Sequence, residues 1–366
     1  MISIQLQNSK YLTQLTKALN QVDYSSYSVS FITKNIFKHD ATSRSVIEQS
    51  NILEALGFKV KFYAEKTSTD LENLVKSKEL IGSIPPKDLI IFHYSIEDKY
   101  LDQLLKLPNK KILYYHGITP PEFLTSGSSL HLECVNGLKA LPKLNSFDAI
   151  IANSQFCLNQ VKAAINSTKR YDTLPPSISF NKWDLIQEDI TFRQKKIHPK
   201  FLYIGRKFPH KNIHGLLDFF NKFVQKFGLG QLIIAGAGYE PEYYLPLKEK
   251  YSKNEDILFY ETISEEQLKS LYLNTDYVVT FSQHEGFCVP ILEAAKFGKT
   301  VITHSCSALS ETSLISKSIV VPLNDYQLAI KETIKDWKSE DKGIPSSDIS
   351  DEFFINKFIN IIKDFL

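Results

Sequence analysis

Apolar and polar positions follow two alternating rhythms along this chain. Short, nearly unbroken apolar runs read as strands buried on both faces: Val29–Phe37, Lys59–Tyr63, Asp88–Tyr94, Lys111–His116, Asp148–Ala152, Lys200–Ile204, Gln231–Ala235, Ile257–Tyr260, Tyr277–Phe281, Thr300–Thr303 and Ser318–Val321. Between them lie stretches with helical spacing, among them Arg44–Leu56, Gln155–Ile165, Ile213–Phe227, Tyr243–Tyr251, Glu265–Leu273 and Val289–Phe297. Local signals punctuate this pattern. Gly57 and Gly298 stop helices, Asn212 is an N-cap, and Ser264-Glu265-Glu266-Gln267 has the form of a capping box. Strands alternating with helices imply parallel βαβ units, so the fold class is α/β.

The cycle runs once to Leu174-Pro175-Pro176 and then restarts at Lys200. A chain of 366 residues is long enough for two substantial cores. The expected organisation is a first doubly wound domain over residues 1–180, opened by an extension (1–27) with a short helix near Lys10–Asn20. A linker (181–199) leads to a second such domain (200–345). The last helix, Asp351–Phe365 within 346–366, is a candidate to cross back onto the first domain. In such sheets ligands sit beyond the carboxyl ends of the strands, which is where His39, Asp40, His93, His116 and Ser154 fall.

Two stretches carry candidate chemistry. In S-Q-H-E-G-F-C-V-P-I-L-E-A-A-K-F-G (Ser282–Gly298), a strand passes through a tight turn into a helix with Pro290 in its first turn. Unpaired N–H groups and the helix dipole make such a start attractive to anions. The loop G-R-K-F-P-H-K-N (Gly205–Asn212) places Arg206 and Lys211 on either side of a strand-to-helix turn. Cations there suit a diphosphate, and Arg grips two oxygens at once. Gly236-Ala237-Gly238 lacks the third glycine of a dinucleotide fingerprint and reads as a tight turn.

Taken together, E-G-F-C-V-P-I-L-E (Glu285–Glu293), G-R-K-F-P-H-K-N and Tyr115–Pro120 (Y-H-G-I-T-P) resemble the retaining GT-B glycosyltransferases of family 4, over about residues 30–365. The resemblance implies a GT-B fold, two Rossmann-like doubly wound domains facing a central cleft. It also implies transfer of a sugar from a nucleoside diphosphate sugar to an acceptor hydroxyl with retained anomeric configuration. On this basis Arg206 and Lys211 bind the diphosphate beside Gly205. Glu285 and the backbone of Gly286, Phe287, Cys288 and Val289 hold the sugar, Glu293 holds the ribose, and His116 faces the sugar from the first domain. The chain departs from the family in its first loop, where K-H-D-A-T-S lacks the glycines that touch the diphosphate, and at Cys288, a place often held by Gly. A second reading is a non-catalytic GT-B subunit that binds an acceptor or a partner glycosyltransferase.

Composition adjusts this picture at the edges. No D-x-D triplet occurs, so no metal is expected, and the only cofactor-like ligand is the nucleotide sugar donor. The net charge of +2 gives no case for nucleic acid as a partner. Residues 1–180 carry 20 Lys and Arg against 16 Asp and Glu, compatible with an anionic or membrane-associated acceptor. The expected acceptor is a glycan, glycolipid or glycoprotein, as in bacterial-type surface polysaccharide assembly. Four scattered cysteines without a C-x-x-C pair fit a reducing compartment. With no secretory-signal pattern at the N-terminus and no apolar run of spanning length, the expectation is a cytoplasmic protein, including at the inner face of a membrane.

Overall fold

The computed structural model describes residues 24–37, 40–165, 169–177, 180–190, 198–339 and 351–366. The helix expected near Lys10–Asn20, His39 and residues 191–197 of the expected linker lie outside the described residues. The chain divides into two compact units. One takes the chain up to Ile118, Ser129–Lys182 and the C-terminal helix Asp351–Lys363; the other takes Thr119–Ser128 and the chain from Trp183 through the helix Tyr326–Lys338.

Each unit is built on a parallel sheet. The first has seven strands, ordered Val75–Ser77, Lys59–Ala64, Ser28–Ile32, Leu89–Tyr94, Lys111–Tyr115, Ala149–Ala152, Arg170–Thr173. The second has six, ordered Ile257–Tyr260, Gln231–Ala235, Lys200–Ile204, Tyr277–Thr280, Thr300–His304, Ser318–Val321. Counted along the chain, both sheets read third, second, first, fourth, fifth, sixth, with a seventh strand added in the first unit. This is the doubly wound order, whose topological switch point lies between the first and fourth strands.

The packing follows from strand periodicity. In Lys200–Ile204, Phe201 and Tyr203 face a core shared with the helices Ile213–Phe227 and Tyr326–Lys338. Leu202 and Ile204 face the opposite core, shared with Glu265–Leu273 and Val289–Lys296. Successive side chains of a strand point to opposite faces, so both faces are apolar and both are covered. In the first unit, the helix Asp351–Lys363 buries Phe354, Ile355, Phe358, Ile359, Ile361 and Ile362 in the core that holds Val29, Phe31 and Val46. At roughly 1.5–3 kcal/mol for each large apolar side chain, this stripe holds the last helix to the first unit. Phe353, on the same helix, is exposed.

Four segments depart from the sequence expectation. Thr119–Ser128 groups with the second unit rather than with residues 1–180. The beginning of the expected linker is packed structure: a helix spans Phe180–Leu185, and Trp183 is buried edge-on against Tyr272 and Phe297. Lys269 Nζ donates to the carbonyls of Trp183 and Ile186, both at 2.7 Å. The polar composition around Trp183 hides this docking, which rests on the buried indole and on the satisfied backbone carbonyls of Trp183 and Ile186. The strands Val75–Ser77 and Arg170–Thr173 have no apolar signal because both are short, part-exposed sheet edges.

Candidate functional site

In the second unit, the loops following the first and fourth strands meet at the switch point. Gly205–Asn212 leaves Ile204, and Phe281–Cys288 leaves Thr280. Backbone and side chain join them: Gln283 N donates to His210 O (2.8 Å), and Asn212 Nδ2 donates to Phe281 O (3.0 Å). Asn212 does this from a left-handed conformation (φ 55°) while its Oδ1 caps the next helix at Gly215 N. Asparagine tolerates that conformation better than most residues, and it is a good cap. Its Nδ2 also reaches the Tyr326 hydroxyl at 2.8 Å, so one side chain joins the loop, the helix and the neighbouring strand end.

Across this junction Lys211 Nζ and Glu285 Oε1 form an ion pair at 2.7 Å, with both side chains largely buried. Glu285 is held by its backbone as well, since its N–H donates to Ser307 Oγ at 2.9 Å. Ser307 sits at φ 47° to make that contact. Arg206 is exposed, with its guanidinium over the Phe208 ring at 5.1 Å. The carbonyl of Arg206 accepts from the Tyr203 hydroxyl (2.7 Å), which pins the loop to the strand below. The intervening Lys207 is buried: its Nζ bonds the carbonyls of Gly236 and Tyr260 and faces Glu261. Burial pulls its pKa down against the attraction of Glu261. This loop therefore carries three cations in different settings: Lys207 buried and structural, Lys211 paired with Glu285, and Arg206 exposed.

Gly205 lies against the turn Gly236-Ala237-Gly238. A Cβ on Gly236 would stand 2.8 Å from Gly205 O, and Gly236 itself has φ 123°. Close backbone approach is what glycine permits here. The second signature region forms the helix Val289–Lys296, whose N-cap Cys288 takes φ 78°. Phe287 and Cys288 are buried, and burial pushes the Cys288 thiol pKa well up, so the thiolate is not favoured. The N–H groups of Cys288 and Val289 begin the helix, where no intrahelical acceptor exists for them. Gly286 and Val289 are part-exposed beside this start. Glu293, one turn in, is buried and accepts a hydrogen bond from the Tyr272 hydroxyl at 2.7 Å.

Two histidines contribute to the surroundings. Burial lowers the pKa of His210 far below its ordinary value, aided by Lys211, Arg206 and His284; burial likewise lowers His284 to about 4. Both are neutral near pH 7, so the positive field of the site comes from Arg206, Lys211 and the helix start. Among the described residues, no group of three or more His, Cys, Asp or Glu side chains is arranged to hold a metal ion.

His116 belongs to the first unit, just beyond the strand Lys111–Tyr115. Its backbone is held on both sides, N–H to Tyr94 O (2.9 Å) and carbonyl from Asn153 Nδ2 (3.2 Å). The ring is bonded to another histidine, with His93 Nδ1 and His116 Nε2 at 2.9 Å. Asp40 and Ser154, also noted at strand ends, serve as N-caps of Ala41–Ala55 and Gln155–Ala164. Arg206, Lys211, Glu285, Gly205, Gly286, Phe287, Cys288, Val289 and Glu293 all belong to the second unit. Three supporting residues escaped the sequence reading. Tyr272 looks like one more apolar residue of an amphipathic helix, Ser307 like loop polarity, and Lys207 like a solvated charge.

Two Rossmann-like domains of doubly wound order define the GT-B fold, and solved structures that cover about nine-tenths of the chain agree. Alr3699/HepE of Anabaena, solved in complex with UDP-glucose, is similar at TM-score 0.73, 15% identity, with 92% of this chain and 99% of that chain covered. WaaG, described as a glycosyltransferase involved in lipopolysaccharide biosynthesis, is similar at TM-score 0.68, 15% identity, with coverages of 91% and 99%. In sequence, residues 187–344 match the family described as Glycosyl transferases group 1. The O-antigen chain mannosyltransferase RfbU of Salmonella typhimurium is 28% identical over 190 residues, 50% of this chain and 48% of that protein. The alpha-1,3/1,6-mannosyltransferase ALG2 of Dictyostelium discoideum is 26% identical over 293 residues, 68% of each. The chain thus spans about half the length of RfbU and about two thirds of ALG2. No helix among the described residues is long and apolar enough to cross a membrane.

Proposed function

We propose that this protein is a retaining glycosyltransferase that moves a hexose from a nucleoside diphosphate sugar to an acceptor hydroxyl without a metal ion. The observation that carries the reading is the Lys211–Glu285 pair, set between two loops at the switch point and beside the start of Val289–Lys296. A diphosphate lying there meets Lys211, the outward Arg206 and the N–H groups at Cys288 and Val289. These groups stabilise the charge that grows on the leaving diphosphate as the glycosidic bond breaks. That oxygen then accepts the acceptor's proton on the same face, which keeps the anomeric configuration. Glu285 accepts from sugar hydroxyls, Glu293 from ribose hydroxyls, and His116 is assigned to the sugar. The family match of residues 187–344 and the names of the relatives support this, and mannose is the sugar in two of those names. The O-antigen chain in the name of RfbU and the lipopolysaccharide in that of WaaG favour a surface glycan as acceptor, and the proposal includes peripheral association at a membrane.

The test is a thermal-shift panel of nucleoside diphosphates on the full chain, followed by hydrolysis and transfer assays with the matching sugars, GDP-mannose and UDP-glucose included. Stabilisation by one nucleoside diphosphate and a product of retained configuration are the expected results. A chain that no nucleoside diphosphate stabilises would defeat the proposal.

A further inference from the structure

His93 lies in the fourth strand of the first sheet, Leu89–Tyr94, next to the strand that His116 follows. It is buried, stacked on Tyr114 at 4.8 Å and near Phe31 at 6.0 Å. Among the described residues its one polar contact is His116, Nδ1 to Nε2 at 2.9 Å, and its Nε2 has no hydrogen-bond partner. Burial pulls both rings down, His93 well below its ordinary value with His116 adding to the effect, and His116 to about 4 with Asp40 opposing. Both are therefore neutral near pH 7, and a single proton must lie between them.

Only two arrangements satisfy a 2.9 Å contact between neutral rings. In one, His116 Nε2–H donates to His93 Nδ1, and His93 must then carry its own proton on Nε2, a buried N–H with no acceptor. In the other, His93 Nδ1–H donates to His116 Nε2, and His93 Nε2 is a bare lone pair. Orphaned buried N–H groups are rarer in folded proteins than under-satisfied acceptors, which favours the second. That arrangement leaves His116 with its proton on Nδ1.

We propose that His93 is a positioning residue for His116: its Nδ1–H fixes His116 as the Nδ1–H tautomer, so that His116 offers an N–H donor to an oxygen of the bound sugar. This rests on the reading of His116 as a sugar-facing residue. The partner histidine is what makes His116 a donor and not an acceptor.

Ring-nitrogen NMR of the histidines at pH 7 reads the tautomer directly. His116 is assigned by its loss in His116→Gln. A protonated Nδ1 and a bare Nε2 are expected, and the reverse pattern overturns the proposal. His93→Phe keeps the ring packing but removes the donor, whereas His93→Asn places an amide N–H near the lost Nδ1–H. Loss of one directed hydrogen bond should lower kcat/KM for the sugar donor about tenfold in His93→Phe. Affinity for the bare nucleoside diphosphate should hold in that variant, and His93→Asn should recover most of the loss. If His93→Asn is no better than His93→Phe, or both lose bare nucleotide affinity alike, His93 is merely structural and the proposal falls. Should His93→Phe fail to fold, the ring-nitrogen pattern and the His93→Asn kinetics still decide it. Absence of transfer from any donor would defeat the proposed function and with it the sugar-donor role, while the NMR pattern would show which tautomer His116 holds.

Discussion

Lys211 and Glu285 were both legible as motif residues, but not as each other's partner. They are 74 positions apart in the chain and meet only because the first and fourth strands are neighbours. Their pairing separates stability from chemistry. Lys211→Met leaves a largely buried carboxylate without its cation and should lower stability by about 2 kcal/mol. Adding Glu285→Gln should restore much of that stability while transfer remains lost; urea unfolding and donor kinetics on both variants check this. Arg206 is exposed and its guanidinium lies over the Phe208 ring, so Arg206→Ala should melt close to the wild type yet lose about a hundredfold in kcat, the scale of one donor to a developing charge. Unchanged turnover would remove Arg206 from the diphosphate. If these cations supply the field, activity should also survive EDTA; full loss that magnesium or manganese restores would overturn that assignment. Glu293→Gln should weaken nucleotide binding, and Tyr272→Phe should do so more mildly, because the Tyr272 hydroxyl orients the Glu293 carboxylate. Calorimetry with the nucleoside diphosphate distinguishes the two.

At the scale of elements, local chemistry explains most of what forms. Lys200–Ile204, Ile213–Phe227, Gln231–Ala235, Ile257–Tyr260, Glu265–Leu273 and Ser318–Val321 form with the bounds their apolar patterns predict. The capping box of Ser264 and Gln267 is present. Asn212 is an N-cap as expected, but its conformation and its bonds to Phe281 O and Tyr326 were invisible to a helix rule. Asn212→Ala should therefore cost more than an ordinary cap, about 2 kcal/mol or above, since it adds left-handed strain and two lost hydrogen bonds to the cap. Asn212→Gly tolerates the left-handed conformation and should be the milder of the two in chemical denaturation. The elements that escaped prediction are the ones whose neighbours, rather than their own residues, hold them. Trp183 is the clearest case, because its environment of Tyr272, Phe297 and Lys269 comes from far along the chain.

For the whole molecule, the buried histidines set a pH limit. His116, His284 and His304 are each lowered by burial to about 4, and His93 and His210 lie well below their ordinary value. The unfolded chain, with histidines near 6.5, binds more protons than the folded chain between that value and about 4. Stability must then fall as the pH drops through this window, by up to about 1.4 kcal/mol per pH unit for each such group. Melting temperature should be level above pH 7 and decline steadily from pH 6.5 to 4. His304 Nε2 accepts the Asn324 N–H at 3.2 Å and cannot do so once protonated, so His304→Phe should flatten part of that decline.

The sequence by itself determined the class and the repeat: apolar runs of strand length, helical stripes between them, a restart at Lys200, and the stretches Gly205–Asn212 and Ser282–Gly298 placed at strand ends. These are local properties, written in periodicity and in turn chemistry. Tertiary structure decided what depends on distant neighbours. It set the strand order that brings the two loops to one switch point, joined Lys211 to Glu285, and turned Lys207 inward while leaving Arg206 outward. It also paired His93 with His116. The physical reason is that burial and hydrogen-bond partners belong to the packed chain, and a charge or an imidazole acquires its role only when those partners are in place.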